Sequence, residues 1–308
     1  MIRHFKKFTV YRFWHSEGKA MYREINGTGW RIPPIGLGAM PLSIQGRPDP
    51  GQAFEVIRTF LDAGGGLIDT ANVYCLDDAD IGHNERLIAQ ALDYFGRRGL
   101  ALVATKGGLR RPQGDWVVDG DPAFLRRSCE QSLQALGVER IALYQLHAVD
   151  TRLGLLPSLE ALVRLKEEGK IEHIGLSNVD RALLEQALAH TPIASVQNRC
   201  NPFEQHDFAS GLVDFCRERQ IAYLPHSPVG GHRGHQRLGQ NALFGQLAGK
   251  YGASPYQIAL AWFLAKGEHI LPIPGASRPA SIADSLRAPS LRLDAADVSA
   301  IDRLREAA

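Results

Sequence analysis

Leu67-Ile68-Asp69-Thr70-Ala71-Asn72-Val73-Tyr74 decides how this 308-residue chain is read. Two apolar residues end in an aspartate, and a tyrosine follows five positions later. Gly64-Gly65-Gly66 punctuates the start, so the apolar pair reads as a short buried strand that stops at Asp69. The same pattern returns downstream. Leu102-Val103-Ala104-Thr105 runs into Lys106, and Ile141-Ala142-Leu143-Tyr144-Gln145-Leu146 runs into His147. Asp, Tyr, Lys and His are the groups needed to protonate a carbonyl oxygen. Whether they meet depends on the fold.

Working outward, short apolar runs alternate with segments of helical period. Strands are expected at 35–40, 67–69, 100–105, 141–146, 171–176, 195–197, 221–224 and 270–273. Helices are expected at 50–63, 84–94, 122–136, 158–168, 181–189, 207–219, 241–251, 255–265 and 280–286. Asp121-Pro122 marks one helix start and Gly137 its end. Residues 22–32 read as a hairpin that turns at Asn26-Gly27-Thr28-Gly29, and residues 295–304 add a C-terminal helix. Eight βα units without a linker predict the α/β class and one (β/α)8 barrel domain over residues 21–308. A doubly wound sheet is the competitor, but it needs fewer strands and opens on a glycine-rich phosphate turn. Gly36-Leu37-Gly38 is not that turn, because Pro41 stands where the third glycine belongs. In a barrel the active site lies where the strands end. One mouth is therefore expected to carry Asp69, Lys106, His147, Ser177-Asn178, Gln197-Asn198, His226-Ser227 and Pro274-Gly275.

Composition narrows the function classes. Hydrophobic residues make up 44% and charged residues 22%, ordinary values for a globular protein with a full core. A net charge of +2 leaves no broad basic field for nucleic acid. No run of 18 apolar residues exists, so no membrane span is expected. Cys75, Cys129, Cys200 and Cys216 form no CxxC pair, which predicts free thiols in a reducing cytoplasm. Residues 1–20 are basic and aromatic without the apolar core of a secretory signal. They read as a disordered N-terminal extension, with Met21 as an alternative start, or as a basic-aromatic docking segment.

Tyrosine is a weak acid, with an ordinary pKa of about 10. Lys106 is expected to lower it, Asp69 to hold Lys106, and His147 to orient a carbonyl oxygen. Such a site protonates oxygen but brings nothing to carbon, so a hydride-carrying cofactor is implied.

With these residues in view, the chain resembles an aldo-keto reductase from about Tyr22 to Leu304. The likeness rests on Ile35-Gly36-Leu37-Gly38-Ala39-Met40, on Ile68 to Tyr74 with Asn84-Glu85, and on Thr105-Lys106. It continues through Leu143 to His147, Gly175-Leu176-Ser177-Asn178 and Val196-Gln197-Asn198. The resemblance implies NADPH/NADP+ as cofactor, with NAD(H) admitted, and a small carbonyl or alcohol substrate. It implies a catalytic tetrad of Asp69, Tyr74, Lys106 and His147, with Tyr74 as proton donor. Gly38, Ala39, Met40 and Asp69 would line the cofactor, and Ser177, Asn178 and Gln197 would hold its carboxamide. His226, Ser227, Pro228, Val229 and Gly230 stand where the family has an aromatic residue beneath the nicotinamide. Gly275, Ser277, Arg278, Asp284 and Ser285 stand at the 2′-phosphate and adenine end.

The chain departs from the family pattern at two places. A histidine replaces the usual tyrosine at position 226, and the later Arg and Asn of the adenine segment are absent. His226 is expected to titrate near the ordinary value of about 6.5, weakening oxidised-cofactor binding below it. The loop 107–120, with Arg110, Arg111, Trp116 and Asp119-Gly120-Asp121-Pro122, resembles a bacterial pyridoxal-reductase-like branch. Trp116 is its candidate substrate wall. Loop 76–82 carries Asp77, Asp78 and Asp80, which read as solvated or as contacts for a basic substrate. Loop 230–239, with His232, Arg233, His235 and Arg237, reads as a surface loop or a cover for the cofactor pyrophosphate. A competing function is an NADP(H)-binding sensor or accessory subunit with little turnover. A metal-dependent barrel hydrolase is disfavoured and no metal is expected, since only Asp69 and His147 are ligands at strand ends.

Overall fold

The computed structural model describes residues 22–25 and 27–304, without the side chains of His232 and Arg233. The expected extension at 1–20 and the start at Met21 lie outside the described residues.

The chain enters through a hairpin, β1 (Arg23–Ile25) paired antiparallel with β2 (Trp30–Ile32). Then β3 (Leu37–Gly38), α1 (Pro50–Asp62), β4 (Leu67–Asp69), α2 (His83–Tyr94) and β5 (Leu102–Gly107) follow in turn. A small antiparallel hairpin, β6 (Leu109–Arg110) with β7 (Val117–Val118), precedes α3 (Pro122–Leu136). The alternation resumes with β8 (Ile141–Leu146), α4 (Leu155–Glu167), β9 (Ile171–Ser177), α5 (Arg181–Leu188) and β10 (Ser195–Gln197). Next come α6 (His206–Ala209), α7 (Leu212–Glu218), β11 (Ala222–Tyr223), α8 (Gly231–Gly234) and α9 (Gln236–Gln240). The chain ends with α10 (Ala242–Tyr251), α11 (Pro255–Lys266), α12 (Pro279–Ser285) and α13 (Ala295–Asp302).

Seven parallel strands run in the order β3-β4-β5-β8-β9-β10-β11. Residues 270–275 close the ring. Ile270 and Ile273 bridge in parallel to Tyr223 and His226, while Gly275 bridges to Gly38 on the other side. Gly36 and Gly38 donate their N–H groups to the carbonyls of Pro272 and Pro274, each at 3.0 Å. The closure is tight. A Cβ on Gly38 would lie 2.8 Å from the Ile273 carbonyl oxygen, and one on Gly275 would lie 2.9 Å from Pro41 Cγ. The barrel expected from eight strand–helix units is therefore the fold, with its eighth strand present as bridges.

Apolar residues plug one end of the barrel. Leu67, Ala104, Leu143, Ala194, Ala222, Leu271 and Ile273 pack with Ile25 and Ile32 of the entry hairpin. Strand side chains alternate in direction, so the next inward layer along each strand is nearer the other end. That layer is polar. Helix starts follow capping chemistry: Asp121 accepts from Phe124 N at 2.8 Å and Asp180 from Leu183 N at 2.9 Å. Each such cap contributes about 1 kcal/mol. Among the described residues no helix is long and apolar enough to cross a membrane.

Three segments differ from expectation. The helix expected over 207–219 is two pieces, α6 and α7, broken where Gly211 takes φ 76°. The loop at 107–120 contains the β6–β7 hairpin, and the loop at 230–239 contains α8 and α9. Strands of two residues and helices of one turn are too short for hydrophobic period to reveal.

Glu85 of α2 is fully buried, and the Thr105 hydroxyl donates to its Oε1 at 2.6 Å. Burial pushes its carboxyl up to about 7, against the pull of the Thr105 and Ser132 hydroxyls. A carboxyl that ionises later in the folded state stabilises the fold below its unfolded pKa, and that stability is lost as pH rises through 7. The rise from 4.5 to about 7 corresponds to about 3 kcal/mol. Glu85→Gln should therefore match the native chain in Tm at pH 4.5 and exceed it at pH 8. Parallel melting curves across that range would expose an error in sign.

Candidate active site

The polar layer is centred on Lys106. The strand predicted for 100–105 runs on to Gly107, which carries Lys106 inside the barrel with no solvent exposure. Its ammonium donates to Asp69 Oδ2 at 2.6 Å, to the Thr70 carbonyl at 2.8 Å and to the Tyr74 phenol oxygen at 2.9 Å. Three donors meet three acceptors, so the buried charge is fully satisfied. Asp69 ends β4, and the backbone turn after it returns Tyr74 over the same strand ends. His147 follows β8 and sets its ring edge-on to Tyr74, with centroids 5.8 Å apart. Tyr74 is 7% exposed and His147 8%, so both reach the mouth from an enclosed site.

Electrostatics differ from the sequence reading in two respects. Lys106 does pull the phenol of Tyr74 down, but burial outweighs it and the pKa is raised. Tyr74 therefore keeps its proton at neutral pH. For Lys106 burial works against the charge, yet Asp69 and Tyr74 together hold its pKa above the ordinary value. Burial, then the charge of Lys106, then His226, depress His147 well below the ordinary imidazole value, so it is neutral. The second correction concerns His226. Burial, then Lys106 and Arg199, push it down to about 3 rather than leaving it near 6.5. It stays neutral between pH 5.5 and 8 and adds no pH dependence to binding there.

Trp116 caps the site. Its exposure is 47%, and its ring stands edge-on to Tyr74 at 6.3 Å and to His147 at 6.4 Å. Arg111 stacks on the indole at 3.8 Å and donates through Nη2 to the Cys75 carbonyl at 3.1 Å. The β6–β7 hairpin is thus tied to the turn that carries Tyr74. On its far side, Gly120 N donates to Asp150 Oδ2 at 3.1 Å. The acidic loop is occupied within the protein. Asp80 pairs with Arg47 at 2.5 Å, Asp78 accepts from Arg111 N at 3.0 Å and Asp77 from Ala79 N at 2.9 Å.

The residues expected to hold a cofactor lie around the same mouth and beyond it. Ala39 N donates to the Asp69 carbonyl at 2.9 Å, which sets Gly38, Ala39 and Met40 beside the tetrad. Ser177 ends β9. Asn178 takes φ 57° and donates to the His147 carbonyl at 2.9 Å. Gln197 donates through Nε2 to Asp69 Oδ1 at 2.8 Å and to Gln145 Oε1 at 3.3 Å, so only its oxygen is left for another partner. Asn198 faces away from the mouth, clamping both backbone groups of Val179 and bonding Asp207 at 2.8 Å. Ser227 takes φ 53° beside His226, and Pro228, Val229 and Gly230 lead into α8. Ser277 accepts through its carbonyl from Gln52 Nε2 at 2.7 Å. Arg278 precedes α12, is exposed and makes no ion pair among the described residues. Asp284 accepts from Ser254 Oγ and Gln257 Nε2, both at 2.6 Å, and the Ser285 hydroxyl bonds within its own helix. These two residues reach a ligand only by giving up those bonds.

Sequence reasoning missed Gln145 and the structural grip of Arg111. Gln145 Nε2 donates to Asp69 Oδ1 at 3.2 Å inside the barrel. The signal was available: residues 143, 145 and 147 share one strand face, which places Gln145 in line with His147.

Comparisons with known proteins bear on the family and the fold. Residues 34–306 match the model of the Aldo/keto reductase family. A soybean (Glycine max) protein named "Probable aldo-keto reductase 1" is 31% identical over 302 residues, 89% of this chain and 85% of its own length. The crystal structure of a thermostable aldo-keto reductase, Tm1743, in complex with the inhibitor epalrestat superposes with a TM-score of 0.78 at 29% identity. It covers 92% of this chain and 99% of that one. A glycerol dehydrogenase from Gluconobacter oxydans gives 0.79 at 25% identity, covering 92% and 94%.

Proposed function

The chain belongs to the aldo/keto reductase family, a family of NAD(P)H-dependent oxidoreductases, and we propose that it interconverts a small aldehyde or ketone and its alcohol with NADPH. The observation that carries this reading is the Lys106 ammonium, bound at once to Asp69 and to the phenol of Tyr74.

The residues around the mouth suit a nicotinamide dinucleotide. Asn178 and Ser227 are non-glycine residues held at positive φ on separate strand ends. Strain of this kind costs about 1–3 kcal/mol per residue and gathers at ligand sites. Gly38, Ala39, Met40, Ser177, Asn178 and Gln197 would hold the nicotinamide end, with the neutral ring of His226 beneath it and Ser227 to Gly230 alongside. The exposed guanidinium of Arg278, which makes no ion pair among the described residues, would take the 2′-phosphate together with Gly275 and Ser277.

When bound, the reduced nicotinamide supplies a hydride to the carbonyl carbon. As the C=O π pair moves onto oxygen, Tyr74 releases its phenol proton to that oxygen. The Lys106 ammonium stabilises the phenolate left behind, and Asp69 keeps Lys106 in place. Neutral His147 orients the carbonyl without competing for the proton. Arg111 holds Trp116 over the reacting oxygen, where the indole walls the substrate space. The reverse reaction uses the same groups, and likeness to a glycerol dehydrogenase favours testing it. Four free, buried cysteines fit the reducing cytoplasm in which we place the protein.

The test is a panel of aldehydes, ketones and polyols assayed in both directions with NADP(H) and NAD(H). Turnover of about 1–1000 s⁻¹ is expected, with NADP(H) favoured and that preference lost in Arg278→Ala. Tight NADPH binding without turnover on any substrate would replace this reading with that of a sensor.

A further inference from the structure

Inside the barrel, Asp69 Oδ1 accepts from two amides: Gln145 Nε2 at 3.2 Å and Gln197 Nε2 at 2.8 Å. The amides also touch each other, with Gln197 Nε2 3.3 Å from Gln145 Oε1. Gln145, Gln197 and Asp69 are all essentially without solvent. A seat has been cleared for Gln145. Gly175 of β9 lies against it, and a Cβ there would come within 2.8 Å of Gln145 Cγ.

We propose that Gln145 is a positioning residue, whose amide holds Asp69 for the tetrad and Gln197 for the cofactor at the same time. The role of Gln197 toward a cofactor rests on the function proposed above; the contact with Asp69 does not. An ionised carboxylate gains from each N–H aimed at it. With one Oδ1 lobe filled by Gln145, Asp69 turns Oδ2 to Lys106, and Lys106 turns to Tyr74. Gln197, held at its nitrogen by Asp69, keeps Oε1 for an N–H donor. Loss of the Gln145 amide frees Asp69 to rotate and lets Gln197 drift with it. Hydrogen bonding at the Tyr74 phenol then changes, although Gln145 touches neither Tyr74 nor any reacting atom.

The experiment compares the native chain with Gln145→Met, which keeps side-chain length and removes the amide. In the cofactor-free protein, a carbon-13 label at tyrosine Cζ reports the Tyr74 phenol, assigned by its disappearance in Tyr74→Phe. The Tyr74 resonance should move in Gln145→Met while the other tyrosine resonances stay. With cofactor, kcat should fall about tenfold, the low end of the effect of losing a residue that orients a metal ligand. NADPH should bind a few-fold more weakly, and KM for the carbonyl substrate should hold. A native Tyr74 resonance together with native NADPH affinity would overturn the proposal. If no form turns over, the proposed function fails and the resonance alone decides this point. If Gln145→Met does not fold, Gln145→Leu removes the same amide, and an unmoved Tyr74 resonance there overturns it equally.

Discussion

Tyr74→Phe is expected to lower kcat for carbonyl reduction by about 10²–10⁴-fold, the usual contribution of a positioned general acid. NADPH affinity should stay within a factor of about two, because the substitution removes no group assigned to the cofactor. No neighbour can take over the proton. His147 is held neutral, far below the ordinary imidazole value, and has none to spare at pH 7. Lys106 is kept protonated by Asp69 and also donates to the Thr70 carbonyl, so its proton is tightly held. The fold should change little. The phenol accepts one bond from an ammonium that retains two other acceptors, and the ring keeps its edge contacts with His147 and Trp116. Steady-state kinetics beside fluorescence titration of NADPH settles the point. A variant with native kcat would remove Tyr74 from the chemistry and leave the family fold without its assigned acid.

Much of this arrangement was legible in the chain, and its limits follow from physics. Asp69 and His147 were readable because each ends an apolar run of strand length, and a barrel gathers strand ends. Trp116 was readable as a candidate substrate wall through its loop's resemblance, but not in its place over the tetrad. Its place over Tyr74 depends on a hairpin of two-residue strands and on Arg111 stacking from behind, neither of which leaves a periodic trace. Gln145 sat inside an apolar run and was passed over, although strand alternation put it on the face of His147. The titration of His226 failed for a different reason. A residue type supplies a reference value of about 6.5, but the surrounding burial and the nearby Lys106 and Arg199 are properties of the closed barrel. The same holds for Tyr74. Lys106 acts in the expected direction, and only the depth of burial decides that the net shift is upward.

Lys106→Met should abolish turnover and also cost about 3–5 kcal/mol of stability, the usual result of leaving one partner of a buried ion pair alone. Lys106 and Asp69 are almost completely enclosed, so water cannot screen the carboxylate that remains. The two amides on Oδ1 soften this but leave Oδ2 and the Thr70 carbonyl without their donor. Activity and stability therefore fall together in the single variant, and the loss of rate alone would not distinguish chemistry from collapse. Asp69→Asn/Lys106→Met separates them. The neutral amide keeps an oxygen for Gln145 and Gln197 and buries no charge, so the double variant should regain most of the lost Tm. It should regain no activity, because no ammonium remains to stabilise the Tyr74 phenolate. Chemical denaturation and kinetics on the three proteins measure both effects. Recovery of kcat in the double variant would mean that the Lys106–Asp69 pair serves the fold alone. A single variant as stable as the native chain would mean that water or a counter-ion reaches Asp69 when Lys106 is absent.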